Sequence, residues 1–204
     1  MKRLSLIFLL SAMGTLSFAQ TDQAGIRSTF TDYFKLQEEM RIAESLEYIY
    51  PKLYELVPKE TMIKVFEQTF EDTTIDLTMR NAVVDSVSEI LEIEGVKYAL
   101  LDYHFEMGMV FKENFGKEEG EEDSADESSE FSPVNFTVTM MKSQYGEENV
   151  AYDEEQRKIL IQVSNKAYAI LNPAYEGSWK FLDKKPNMTP ILGQLFPQEV
   201  IDKW

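Results

Sequence analysis

Cysteine is missing from all 204 residues, and histidine occurs once, at position 104. Without thiols no disulfide can form, and the apolar N-terminal segment is followed by no cysteine that could take a lipid. A zinc centre needs several His, Cys or carboxylate ligands, and there is no His-Glu-x-x-His segment, so neither a metal nor a cofactor is expected. The nine glycines form no Gly-x-Gly-x-x-Gly or Walker pattern, which argues against nucleotide chemistry. No Gly-x-Ser-x-Gly elbow is present either, and a Ser-His-acid device would have to use His104. Basic residues are outnumbered: 20 Lys and Arg against 36 Asp and Glu give a formal charge of −16. That field repels phosphate backbones and anionic lipid, so nucleic acid and membrane surfaces are not expected partners.

Long apolar runs are scarce too. The N-terminal one, Leu4 to Leu16, follows Lys2-Arg3 and precedes Ser17-Phe18-Ala19, the order of a signal peptide with a small-x-small cleavage site. It is shorter than the roughly 20 residues that span a bilayer. Cleavage after Ala19 is the expectation, with export to the periplasm or beyond. Residues 20–204 then form one domain large enough to bury a core without staples.

Ile26, Phe30, Tyr33, Phe34 and Gln37 recur at three- and four-residue steps and predict a helix over about 22–39. Leu46, Ile49, Tyr50, Leu53 and Leu56 continue the period, and Met62, Ile63, Val65, Phe66 and Phe70 follow Pro58. Two further helices, about 41–56 and 58–70, are therefore expected. From Thr73 the period becomes two: Ile75, Leu77, Met79, Val83 and Val87 predict a half-buried strand bent near Asn81. Ile90 to Ile93 leads in extended form to a turn at Glu94-Gly95. Ala99, Leu101, Tyr103, Phe105, Met107, Met109 and Phe111 then mark one apolar face of a long strand.

Residues 113–132 are rich in Asp, Glu, Gly and Ser and predict a flexible acidic loop. It lacks the Asp-x-Asp-x-Asp-Gly spacing of a calcium site. Ser132-Pro133 suits a helix start and Gly146 its end, so a helix is preferred there over an alternating strand. Val150 and Tyr152, Ile159 to Val163, Ala167 to Leu171 and Trp179 to Leu182 are expected to form three or four antiparallel strands, and Thr189-Pro190 to start a last short helix, with one more turn after Pro197 reaching Trp204. Helices followed by mostly antiparallel strands give an α+β class, with helices packed on a curved sheet.

Tyr50-Pro51-Lys52, the run Lys97 to Tyr103 and Ser178-Trp179-Lys180-Phe181-Leu182, in this order of elements, resemble an uncharacterised family of small exported Bacteroidetes proteins. Their arrangement in turn is similar to the nuclear-transport-factor-2-like (cystatin-like) cone. That resemblance implies a cavity inside the cone and, by analogy, a homodimer.

Asp102, His104 and Glu106 are the one constellation with catalytic potential, because a strand places them on one face about 6 to 7 Å apart. Lining a cavity, the carboxylates would raise the histidine pKa and the three would serve as acid and base. Facing water, they are the solvent side of a sheet. Tyr98 and Leu100 are the candidate pocket-lining pair, and tyrosine suits surfaces part apolar and part wet. The leading expectation is a non-enzymatic binding module for an unknown small molecule or protein. Its rival is an enzyme or carrier using the cone interior. A third expectation is that the acidic loop docks a basic partner.

Overall fold

The computed structural model describes residues 4–70, 74–112, 115, 132–175 and 177–204, and side chains from residue 20 onward except those of 69 and 70. The acidic residues 116–131 lie outside this set. In chain order the elements are α1 (Leu4–Glu38), α2 (Ile42–Ser45), α3 (Lys59–Phe70), β1 (Ile75–Val87), β2 (Leu91–Ile93), β3 (Val96–Phe111), α4 (Pro133–Tyr145), β4 (Val150–Asp153), β5 (Lys158–Leu171), β6 (Lys180–Asp183), α5 (Thr189–Leu195) and α6 (Gln198–Lys203). The class is α+β. An antiparallel six-stranded sheet runs in the open order β1-β3-β5-β4, with β2 on β3 and β6 on β5. None of the helices searched among the described residues is long and apolar enough to cross a membrane.

The chain forms two compact units, and β1, β3 and β5 each contribute to both. The first unit comprises residues 1–57, 84–103 and 165–204. Its core is aromatic: Phe30 of α1 lies edge-on to Phe181 of β6 at 5.1 Å and 4.7 Å from Tyr103 of β3. Each such side chain taken from water contributes about 1.5–3 kcal/mol, and the ring geometry adds to it. Gln23 and Arg27 of α1 also hold the backbone of β1 and its end. Gln23 Nε2 donates to the carbonyls of Val87 and Ser88 at 3.2 and 3.1 Å, and Arg27 donates to those of Val84 and Asp85. Carbonyls that an edge strand would leave open are thereby satisfied.

β2 and β3 form a hairpin in which Ile93 pairs with Val96, leaving Glu94 and Gly95 as a two-residue loop. Both have positive φ, 51° and 78°, the sign pattern of a type I′ turn. Glycine takes that backbone without strain, whereas glutamate does not.

The second unit comprises residues 58–83 and 104–164. Phe105, Met109 and Phe111 of β3, Val134 and Val138 of α4, Val150 of β4 and Ile159, Ile161 and Val163 of β5 are buried there. α4 starts as its sequence predicts: the Ser132 hydroxyl accepts from the Asn135 N–H at 3.2 Å, with Pro133 in the first turn. Phe136 and Met140 of α4 remain 69% and 45% exposed.

Three local expectations need correction. Residues 41–56 are not one helix: after α2 and a 3₁₀ turn, Ile49 pairs with Phe181 and Tyr50 N donates to the Phe181 carbonyl, before a second 3₁₀ turn from Pro51. The cause is Pro51, whose ring disfavours helical ψ at the preceding residue; Tyr50 sits at ψ 115°. Val83 is 49% exposed, because the in–out alternation of β1 slips at residues 80–81 and again at 85–86. Asn81, at φ 58°, marks the first slip. The segments expected at 159–163 and 167–171 form one strand, β5, since Ser164 and Lys166 are outward strand positions and not a turn.

Candidate functional site

Asp102, His104 and Glu106 occupy alternating half-buried positions of β3, opposite in phase to buried Leu101, Tyr103 and Phe105. Asp102 belongs to the first unit, His104 and Glu106 to the second. Asp102 binds Lys166 Nζ at 2.7 Å and accepts from the Ser86 hydroxyl at 2.6 Å. These two contacts, Lys166 first, hold its carboxyl below the usual range. Glu106 is ion-paired with Arg80 and accepts from Gln162 Nε2 at 3.4 Å. Each carboxylate is thus tied to a cation on a neighbouring strand, as expected of cross-strand pairs. Among the described residues no group of three or more His, Cys, Asp or Glu could hold a metal ion.

A second cluster lies inside the first unit. The Tyr103 hydroxyl donates to Asp183 at 2.9 Å, and Asn165 Nδ2 approaches that hydroxyl at 3.5 Å. Tyr33 accepts from Gln37 Nε2 at 2.8 Å. Burial first, and the Asp183 charge second, push both phenols far above their ordinary pKa. They are fixed as neutral hydrogen-bonding groups and cannot serve as bases near neutrality.

A cleft of about 290 Å³ lies in the first unit. One wall comes from the β2–β3 hairpin, with Ile93, Glu94, Val96 and Tyr98. Another comes from Tyr50 and Lys52, which flank Pro51. Asn172 after β5 and Gln194, Phe196 and Pro197 around the end of α5 complete it. The Tyr50 and Phe196 rings stack 5.6 Å apart with planes 2° from parallel, and Phe196 meets Tyr98 edge-on at 6.2 Å. Burial raises the pKa of Tyr50 and Tyr98, and each is raised further by nearby Tyr175.

Ile49 and Pro51, which alternate with Tyr50 and Lys52, face a neighbouring cleft of about 260 Å³ with Leu46, Glu47, Tyr54, Ala174, Tyr175 and Lys180. Lys180 Nζ donates to the Glu47 carbonyl at 2.8 Å, so this cation is already engaged.

Of the candidates read from sequence, Tyr98 lines the 290 Å³ cleft, whereas Leu100, Asp102, His104 and Glu106 are not among its wall residues. Lys52, Glu94 and Phe196 had no sequence-level signal of a site. Tyr50-Pro51-Lys52 stood out only as part of a resemblance. In comparisons with protein-family models, curated proteins and solved structures, nothing matches this chain.

Proposed function

We propose that this protein is an exported, non-enzymatic binding module that holds a small ligand in the cleft beside Tyr98. The observation that carries this reading is the cleft itself, which brings the rings of Tyr50, Tyr98 and Phe196 together with the polar side chains of Lys52, Glu94, Asn172 and Gln194 in one concavity. Its volume lies near the lower end for such sites and suits a compact ligand. The ionic ties of Asp102 and Glu106 favour binding over acid–base catalysis on β3. Helices followed by an antiparallel sheet are in keeping with the nuclear-transport-factor-2-like cone, which we propose as the fold family on the strength of the resemblance.

Two measurements test the proposal. Protein-observed NMR with a library of small aromatic fragments should give shifts concentrated at residues 50, 52, 93–98, 172 and 194–197, and Tyr98→Ala should abolish them. Shifts confined to other surfaces would refute the site. Mass analysis of the exported protein should find Gln20 as its first residue; an intact N-terminus would refute cleaved export.

A further inference from the structure

The cleft beside Tyr98 carries one charge of each sign that the described residues do not neutralise. Lys52 is half-buried, lines the cleft, and forms no ion pair or hydrogen bond among the described residues. Lys35, Arg41, Arg80, Lys97, Lys112, Lys166 and Lys185 are ion-paired, whereas Lys52, like Lys64, Lys142 and Lys158, keeps its charge open among the described residues. Glu94, on the hairpin turn, also lines the cleft and likewise has no counter-ion among the described residues. Its charge acts on the Tyr98 hydroxyl.

The same cleft carries two hydroxyls without partners among the described residues. Tyr50 and Tyr98 are 1% and 4% exposed, yet neither hydroxyl makes a hydrogen bond to the described residues. Each hydroxyl keeps a donor and an acceptor open to a ligand in the cleft. Asn172 and Gln194 add amide groups to the same walls.

Charge decides the ligand class. A simple anion would meet Lys52 but enter the field of a chain with formal charge −16, and a simple cation would meet Glu94 but be repelled by Lys52. A zwitterion satisfies both side chains and has no net charge for the field to act on. We infer that the cleft takes a free amino acid, its carboxylate on Lys52 and the tyrosine hydroxyls, its ammonium at Glu94, and its side chain against the ring of Phe196. This rests on the binding-module reading and names the ligand class of that same cleft.

The test uses the purified protein in calorimetric titrations with the twenty free amino acids. L-phenylalaninamide, which lacks the carboxylate, and N-acetyl-L-phenylalanine, which lacks the ammonium, serve as deletion analogues of L-phenylalanine. At least one amino acid should bind, and the analogues lacking either charge should bind at least about tenfold more weakly. Lys52→Gln should erase discrimination against the amide form, and Glu94→Gln discrimination against the acetylated form. Neither side chain has a partner among the described residues to lose, so circular dichroism should show both variants folded. Analogues that bind as tightly as the parent would overturn the zwitterion inference. So would failure of all twenty amino acids while phenol still shifts the Tyr98 resonances, and that result would leave the binding module standing. If neither amino acids nor phenol perturb the cleft, both readings fall.

Discussion

The Tyr103 hydroxyl donates a 2.9 Å hydrogen bond to the Asp183 carboxylate, tying β3 to the last residue of β6 at a point where Tyr103 is only 5% exposed. Removing the hydroxyl while keeping the ring deletes that bond together with the 3.5 Å approach of Asn165 Nδ2. Tyr103→Phe should lower unfolding stability by about 1 to 2 kcal/mol, because the lost bond is to a charged acceptor whose side chain still reaches solvent. Urea denaturation would show this as a lower midpoint with an unchanged slope. An unchanged midpoint would mean that the bond contributes nothing net.

The buried phenols make the protein sensitive to alkali. Tyr33 and Tyr103 have folded-state pKa values raised by burial, so they stay protonated in the native chain while the same groups ionise in the unfolded chain near pH 10. Their contribution to stability is complete below the unfolded pKa and declines as pH rises above it. An absorbance titration at tyrosinate wavelengths should therefore show a late, steep step coinciding with loss of the circular dichroism signal. A smooth titration centred near pH 10 in folded protein would contradict this.

Asp102 gives the opposite dependence. Lys166 and Ser86 lower its folded-state pKa, so its contribution is present above the unfolded value and lost as pH falls through the folded one. The side chain is 39% exposed and solvent screens the pair, which limits the effect at neutral pH to about 1 kcal/mol or less. Asp102→Asn should be slightly less stable than the parent at pH 7 and equal to it in strong acid. Equal stability at both pH values would show the ion pair to be inert.

Gly108 tests the packing of the polar side of β3. A Cβ there would stand 2.5 Å from Thr78 Oγ1 and 3.2 Å from Lys158 Cε, side-chain atoms contributed by β1 and β5. Alanine requires those side chains to rotate, and valine leaves too little room for rotation to relieve. Gly108→Val should cost about 1 to 3 kcal/mol and Gly108→Ala less. The Gly108→Ala, Thr78→Ser double variant should recover little, since the offending atom is the hydroxyl that serine keeps.

Much of this molecule was legible in its sequence because local rules act over a few residues. The alternation from Ala99 to Phe111 assigned the inward face of β3, Ser132-Pro133 marked the start of α4, and Glu94-Gly95 marked the hairpin turn. Each depends only on side-chain period, a cap or backbone sterics. Where such rules failed, a longer-range partner had intervened. Tyr50 left the helical pattern to bond Phe181, 131 positions away, and the phase slips of β1 displaced Val83 to the surface. Only the tertiary structure decided which side chains share a cleft, since Tyr50 and Lys52, Glu94 and Tyr98, and Phe196 come from three segments far apart along the chain that meet through packing in the first unit. Periodicity tells which way a side chain faces, but convergence depends on how elements pack, and that information is spread over the whole core.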